Sequence, residues 1–179
     1  LFSVIFFYQF AFVAISLALF GIGAGGICSY VIANRPGNLS SELGRLTFLN
    51  SVLVVPLLWF FLSRHGEMTL GALIAVCVGS AIPFFFAGTV VSLAIGQAMD
   101  RIDRAHSFEI MGAAAGCLLL VPFLDFFGGP NTVIAAGVIY GVAASIWFAR
   151  AGEGQLRAMA VLVSLLLVSL QERPFLRLA

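Results

Sequence analysis

The chain has 179 residues, of which 61% are hydrophobic and only 9% charged, with a net charge of +1. A water-soluble domain carries about 25% charge and at this size still leaves roughly 30% of its extended surface in water. A soluble fold could not hide so much apolar surface, so the composition points to an integral membrane protein whose first partner is the lipid bilayer. A net charge this close to zero excludes the polyelectrolyte signature of a nucleic-acid-binding protein.

Six apolar runs are predicted as helices in chain order, at about 3–33, 46–63, 70–98, 108–127, 132–149 and 158–170. A span needs about 20 apolar residues. The first run is longer than that and must tilt, overshoot or break near its glycines. The last is short, and either spans or lies at the interface. Period-2 alternation is absent, which argues against a strand barrel and leaves helices to satisfy the backbone in lipid. The expected fold class is therefore all-α: a polytopic integral membrane protein with about six transmembrane helices in one domain covering 1–179. Pro56, Pro83 and Pro122 fall inside runs and predict local distortion. "GGPN", residues 128–131, predicts a tight turn between the fourth and fifth runs.

All nine basic residues are Arg. Arg35, Arg45, Arg101, Arg104, Arg150 and Arg157 lie in or beside the first, third and fifth gaps. The second and fourth gaps hold only Arg64. The positive-inside rule puts the first set on the cytoplasmic side. Arg173 and Arg177 in the tail fit that rule if the last run lies flat, and oppose it if the run spans. Cys28, Cys77 and Cys117 sit in separate apolar runs without CxxC or His partners, so no disulfide framework, metal site or cofactor is predicted.

Two GxxxG pairs stand out. Gly21 and Gly25 lie in "GIGAGG", where a phosphate loop would need a strand before it and a helix after it. Close helix packing is the expected role instead. Gly112 and Gly116 frame "GAAAG", which predicts a smooth face with another helix against it, while Gly137 in the fifth run is expected to tolerate a larger side chain better. Glu109 shares the face of Gly112 and Gly116. With Ser107 as helix cap, Glu109 would stand in the first turn, favoured by the helix dipole and paired with Arg101 and Arg104. A proton- or substrate-handling role is the competing reading of such an acid. His65, His106 and Asp125 read as interfacial residues, and Trp59 and Trp147 as an aromatic belt. Gln9, Ser16, Asn50, Ser51, Ser80, Thr89 and Ser92 are the notable polar groups within the runs. No catalytic motif is present: there is no GxSxG, HExxH or Walker A, and no charge at the centre of a run.

"FFYQFAFVAISLALFGIGAGGICSY" (6–30), "IPFFFAGTVVSLAI" (82–95) and "RIDRAHSFEIMGAAAGCLLLVPFLDFFGGPN" (101–131) resemble the membrane region of bacterial spermidine-synthase-like proteins, the fused major-facilitator-like/spermidine synthase group. The resemblance rests on the order PFFxxG, a charged gap, an acid before GAxxG and a GGP turn. The acid is commonly Asp in that family and is Glu109 here. The resemblance implies a further helix before the first run and a soluble aminopropyltransferase-like domain after the last, neither of which this sequence contains. It therefore implies a piece of, or a derivative of, a longer family member, located in the bacterial inner membrane. The expected function is a non-catalytic membrane module: the membrane domain of such a protein, or an accessory subunit packed against other membrane protein subunits. A polyamine-like small-molecule transporter half and the membrane anchor of an aminopropyltransferase-like enzyme are the alternatives.

Overall fold

The structure is a computed structural model and describes residues 2–34, 37–63 and 70–171. Among these residues the chain is helical and contains no strand. The elements are α1 (Phe2–Ala33), α2 (Leu39–Leu62), α3 (Leu70–Gln97), a single 3-10 turn (Met99–Arg101), α4 (Ile102–Ala151) and α5 (Gly154–Gln171). Four of them, α1 to α4, contain stretches long and apolar enough to cross a membrane, a build compatible with a multi-pass membrane protein.

Local signals set the boundaries. Asn38 caps α2: its side-chain oxygen accepts the Ser40 N–H at 3.2 Å, and its carbonyl accepts those of Ser41 and Glu42. This satisfies donors that a helix start leaves without internal partners. α2 thus begins seven residues before the apolar run at 46, because capping and not hydropathy decides where a helix starts. At the end of α4, Gly152 adopts φ 79°, its N–H reaches the Ala149 carbonyl and the Glu153 N–H reaches that of Phe148. This pattern closes a helix through a left-handed glycine and frees the chain to begin α5.

α4 holds 50 residues. A straight helix of that length would measure roughly 75 Å, far beyond a hydrocarbon core of about 30 Å. The backbone breaks once, at Gly128, with φ 76° and ψ 168°, a conformation open to glycine but strained for other residues. The predicted turn at 128–131 is therefore a one-residue break between two arms, 102–127 and 129–151. Asn131 and Thr132 mend the break with side chains: Asn131 donates to the Phe127 carbonyl, and Thr132 to those of Phe123 and Gly128. Helical conformation otherwise continues through Pro122 and Pro130.

The helices pack in two groups. α1 lies chiefly along α3, and the two run parallel: Gly21 faces Ala81 and Phe84, while Gly25 faces Phe85 and Thr89. α2, the second arm of α4 and α5 form the other group. α2 runs antiparallel to that arm, with Gly44 on Phe148 and Val54 on Gly137. α5 also runs antiparallel to it, placing Ala160 with Ala144 and Phe148, and Ser164 on Gly141. α5 therefore stands alongside α4 and does not lie flat across its end.

Candidate functional site

The "RIDRAH" stretch is not a gap. It forms the end of the 3-10 turn and the first turns of α4. Three expectations change with it. Ser107 lies inside α4, where its hydroxyl donates to the Asp103 carbonyl at 2.7 Å instead of capping the helix. Glu109 is the eighth residue of α4 and lies beyond the first turn, where the dipole is felt. Its carboxylate meets His106 Nδ1 at 3.0 Å. Arg101 and Arg104 are exposed, and Arg104 lines a surface hollow of about 470 Å³ with Asp103, Ser107, Phe108 and Met111. Glu109 itself is exposed, paired one turn back along its own helix.

The two GxxxG pairs have opposite environments. A methyl group added at Gly21 would lie 2.8 Å from the Ala81 carbonyl, and one at Gly25 would strike the Phe85 carbonyl. On the facing helix, Gly88 meets the Ile22 backbone equally closely. Gly112 and Gly116 have none of the described residues within 4 Å of an added methyl, and 106–121 is exposed throughout. The expectation for Gly137 is overturned: it is buried, with Val54 3.2 Å from an added methyl, and its carbonyl accepts the Ser51 hydroxyl at 2.7 Å. Gly141 is similarly closed by Ser164 and Ser51. Both lie on the packed arm of α4, which run length alone did not distinguish from the free one.

Gly116, Leu119, Leu120 and Phe123 of the first arm face Thr132, Ala135, Ala136 and Ile139 of the second across an apolar cavity of about 200 Å³. The two arms thus form a V with its apex at Gly128, and the Gly112–Gly116 face opens into its mouth.

A second feature is a line of buried polar residues within the α2–α4–α5 group. Ser41, Thr47, Asn50, Ser51, Asn131 and Ser164 are all under 9% exposed, so packing, not solvent, holds them. Thr47 and Ser164 return their hydroxyls to carbonyls of their own helices. Asn50 reaches across to the Pro83 carbonyl of α3 at 3.4 Å, with Tyr140 beside the same amide. At one end stands Glu153, which sequence reasoning passed over as a gap residue. One carboxylate oxygen accepts the Ser41 hydroxyl at 2.7 Å, and the other is buried without a partner. The available signal was its setting between Gly152, a helix-stopping glycine, and Gly154, which opens α5.

Gly21, Gly25, Gly112 and Gly116 are thus assigned positions on two helix faces, one covered and one bare. Among the described residues Glu109 is paired with His106, and no ion pair joins it to Arg101 or Arg104. Among the described residues no three His, Cys, Asp or Glu side chains converge as metal ligands. His65, Arg35, Arg64, Arg173 and Arg177 lie outside the described residues. No family, curated protein or solved structure matches the chain in comparisons with known proteins.

Proposed function

We propose that the chain is a non-catalytic membrane module of six spans, two of them the arms of α4, whose first α4 arm docks against a transmembrane helix of another subunit. One observation carries this reading. The close-packing glycines of α1, α2, α3 and the second α4 arm are met by other helices of this chain, while Gly112 and Gly116 face open space. Small residues at such spacing let backbones approach closely in lipid, where van der Waals contact replaces the hydrophobic effect as the driving force. Three alanines between the two glycines extend the smooth surface.

The motif order in 6–30, 82–95 and 101–131 supports a place in the membrane part of a spermidine-synthase-like protein, or in an accessory subunit derived from one, in a bacterial inner membrane. A transporter half is the second reading. It is favoured by the unpartnered, buried side-chain oxygen of Asn50 inside α2, because polar groups within spans mark pathways as well as packing.

The test is site-specific photocrosslinking in native membranes from Gly112, with Ile139 on the facing wall and outward-facing Leu162 of α5 as comparisons. A discrete protein adduct from Gly112, lost in Gly116→Leu while the chain still accumulates, supports docking. Adducts to lipid alone from all three positions reject it. Uptake of a polyamine by vesicles holding only this chain would establish the transporter reading instead.

A further inference from the structure

The first arm of α4 presents two different faces. Gly116, Leu119 and Leu120 line the cavity of the V. Arg104, Ser107, Phe108 and Met111 recur at steps of three and four residues and share another face, roughly a third of a turn away at about 100° per residue. That face carries the surface hollow of about 470 Å³, which Asp103 also lines. All five lining residues are exposed.

The polar groups stand together at one end of the hollow. Among the described residues no ion pair engages Asp103 or Arg104, so a carboxylate and a guanidinium face the hollow without protein partners. The Ser107 hydroxyl gives its hydrogen to the Asp103 carbonyl at 2.7 Å, which leaves its oxygen able to accept. His106 and Glu109 hold each other at 3.0 Å and do not line the hollow. Past the charges the same face continues as Phe108, Met111, Ala115 and Leu118, all exposed. Phe108 to Leu118 rises about 15 Å along the helix, half of a hydrocarbon core about 30 Å thick.

A charged end followed by one leaflet's depth of apolar wall has the outline of a phospholipid. The charges select the headgroup. An anionic headgroup would be drawn to Arg104 and repelled by Asp103. A choline headgroup has no N–H to donate. A primary ammonium can donate both to the Asp103 carboxylate and to the Ser107 oxygen, while the phosphate takes the forked guanidinium of Arg104. We propose that this face holds a phospholipid with a phosphoethanolamine headgroup, its phosphate on Arg104, its ammonium on Asp103 and one acyl chain along Phe108, Met111 and Leu118. The site rests on the six-span reading, in which α4 starts at the membrane surface, and is independent of any partner on the Gly112–Gly116 face.

Photolabelling of the full chain tests this, in phosphatidylcholine vesicles carrying a trace of a lipid with a diazirine in its acyl chain. The photoactive lipid has an ethanolamine, a glycerol or a choline headgroup, and adducts are mapped by peptide mass spectrometry. The ethanolamine lipid should label 111–118 more strongly than the other two. Arg104→Gln should cut that labelling about fivefold, the weight of one basic residue at a lipid surface. Asp103→Asn should lower labelling by the ethanolamine lipid and raise it by the glycerol lipid, because the carboxylate that holds the ammonium repels the anion. Both side chains are exposed, so both variants should melt with the parent chain. Equal labelling of 111–118 by all three lipids, or labelling indifferent to both substitutions, overturns the headgroup site while leaving the arm in the bilayer. Absence of adducts in 111–118 from every lipid overturns the six-span reading, and the site with it.

Discussion

Glu109 and Glu153 show how burial, not neighbouring sequence, decides what an acid does. Glu109 is exposed, lies past the first turn of α4 and pairs with a half-open His106. Exposed pairs of this kind contribute little, because water screens the charges and two side chains must be held in place. Glu109→Gln is therefore expected to change thermal stability by no more than about 0.5 kcal/mol, the range of ordinary surface substitutions. Glu109→Lys should fold too, because the early-helix dipole penalty does not reach the eighth residue. Glu153 is different: the Ser41 hydroxyl is the hydrogen-bond donor seen at its carboxylate, and the other oxygen is shut off from solvent. Removing that donor with Ser41→Ala should cost about 1–3 kcal/mol, the penalty for stranding a buried polar group. Glu153→Gln should be milder than Ser41→Ala, because the amide keeps an acceptor for Ser41 and sheds the buried charge. Melting temperatures of the purified variants in one detergent rank the four substitutions. Equal losses at Glu109→Gln and Ser41→Ala would contradict the assignment of the buried role to Glu153.

At the scale of the helix, apolar run length disclosed the elements and their order, because a backbone in lipid must be helical to satisfy itself. It misplaced their starts where polar caps and charged turns are themselves helical, as at Asn38 and at Ile102–His106. Gly21 and Gly25 were legible as packing residues from spacing alone. The contrast between Gly137 and Gly112 was not, since both are small residues in apolar helices and only the neighbouring helix distinguishes them. Gly137→Leu and Gly141→Leu should each cost at least about 1–3 kcal/mol through overpacking, lowering the yield of folded monomer. Gly112→Leu and Gly116→Leu should leave the monomer's melting temperature unchanged, because the added side chain meets none of the described residues. Their expected effect is on co-purification with the proposed partner subunit. A third glycine tests the break itself: Gly128→Ala retains the space but not the φ of 76° and ψ of 168°, and should cost about 1–3 kcal/mol, because that extended positive-φ conformation is nearly confined to glycine. A melting temperature unchanged in Gly128→Ala would show that the two arms need no glycine at their apex.

For the whole molecule, the open question left by composition was the fate of the last helix. Arginine counting favoured a flat α5, because a spanning one carries Arg173 and Arg177 to the side opposite Arg150 and Arg157. The packing favours the other answer. Ala160, Ser164 and Leu167 are all buried, spaced at about one helical turn, and Ala160 and Ser164 meet the second α4 arm in antiparallel order. An 18-residue helix is about 27 Å long, close to the thickness of the hydrocarbon layer. If that arm crosses the bilayer, α5 crosses beside it in the opposite sense. Tail charges yield to this because orientation is set mainly by short loops near the earlier spans, and the Ser41–Glu153 bond fixes the α4–α5 joint at the end where α2 begins. Single cysteines on a background lacking the native three settle it by labelling with a membrane-impermeant thiol reagent. Asn38, Ser107 and Gly152 should react from the cytoplasmic face. Gly66, which lies outside the described residues, should react from the opposite face. A cysteine at Arg173 is the decisive position: it should react with Gly66 and not with Gly152. Reaction of Arg173 from the cytoplasmic face would mean that α5 leaves the α4 arm in the bilayer and lies at the surface. Reaction of Asn38 and Gly66 from one face would instead remove α2 from the membrane and end the six-span reading.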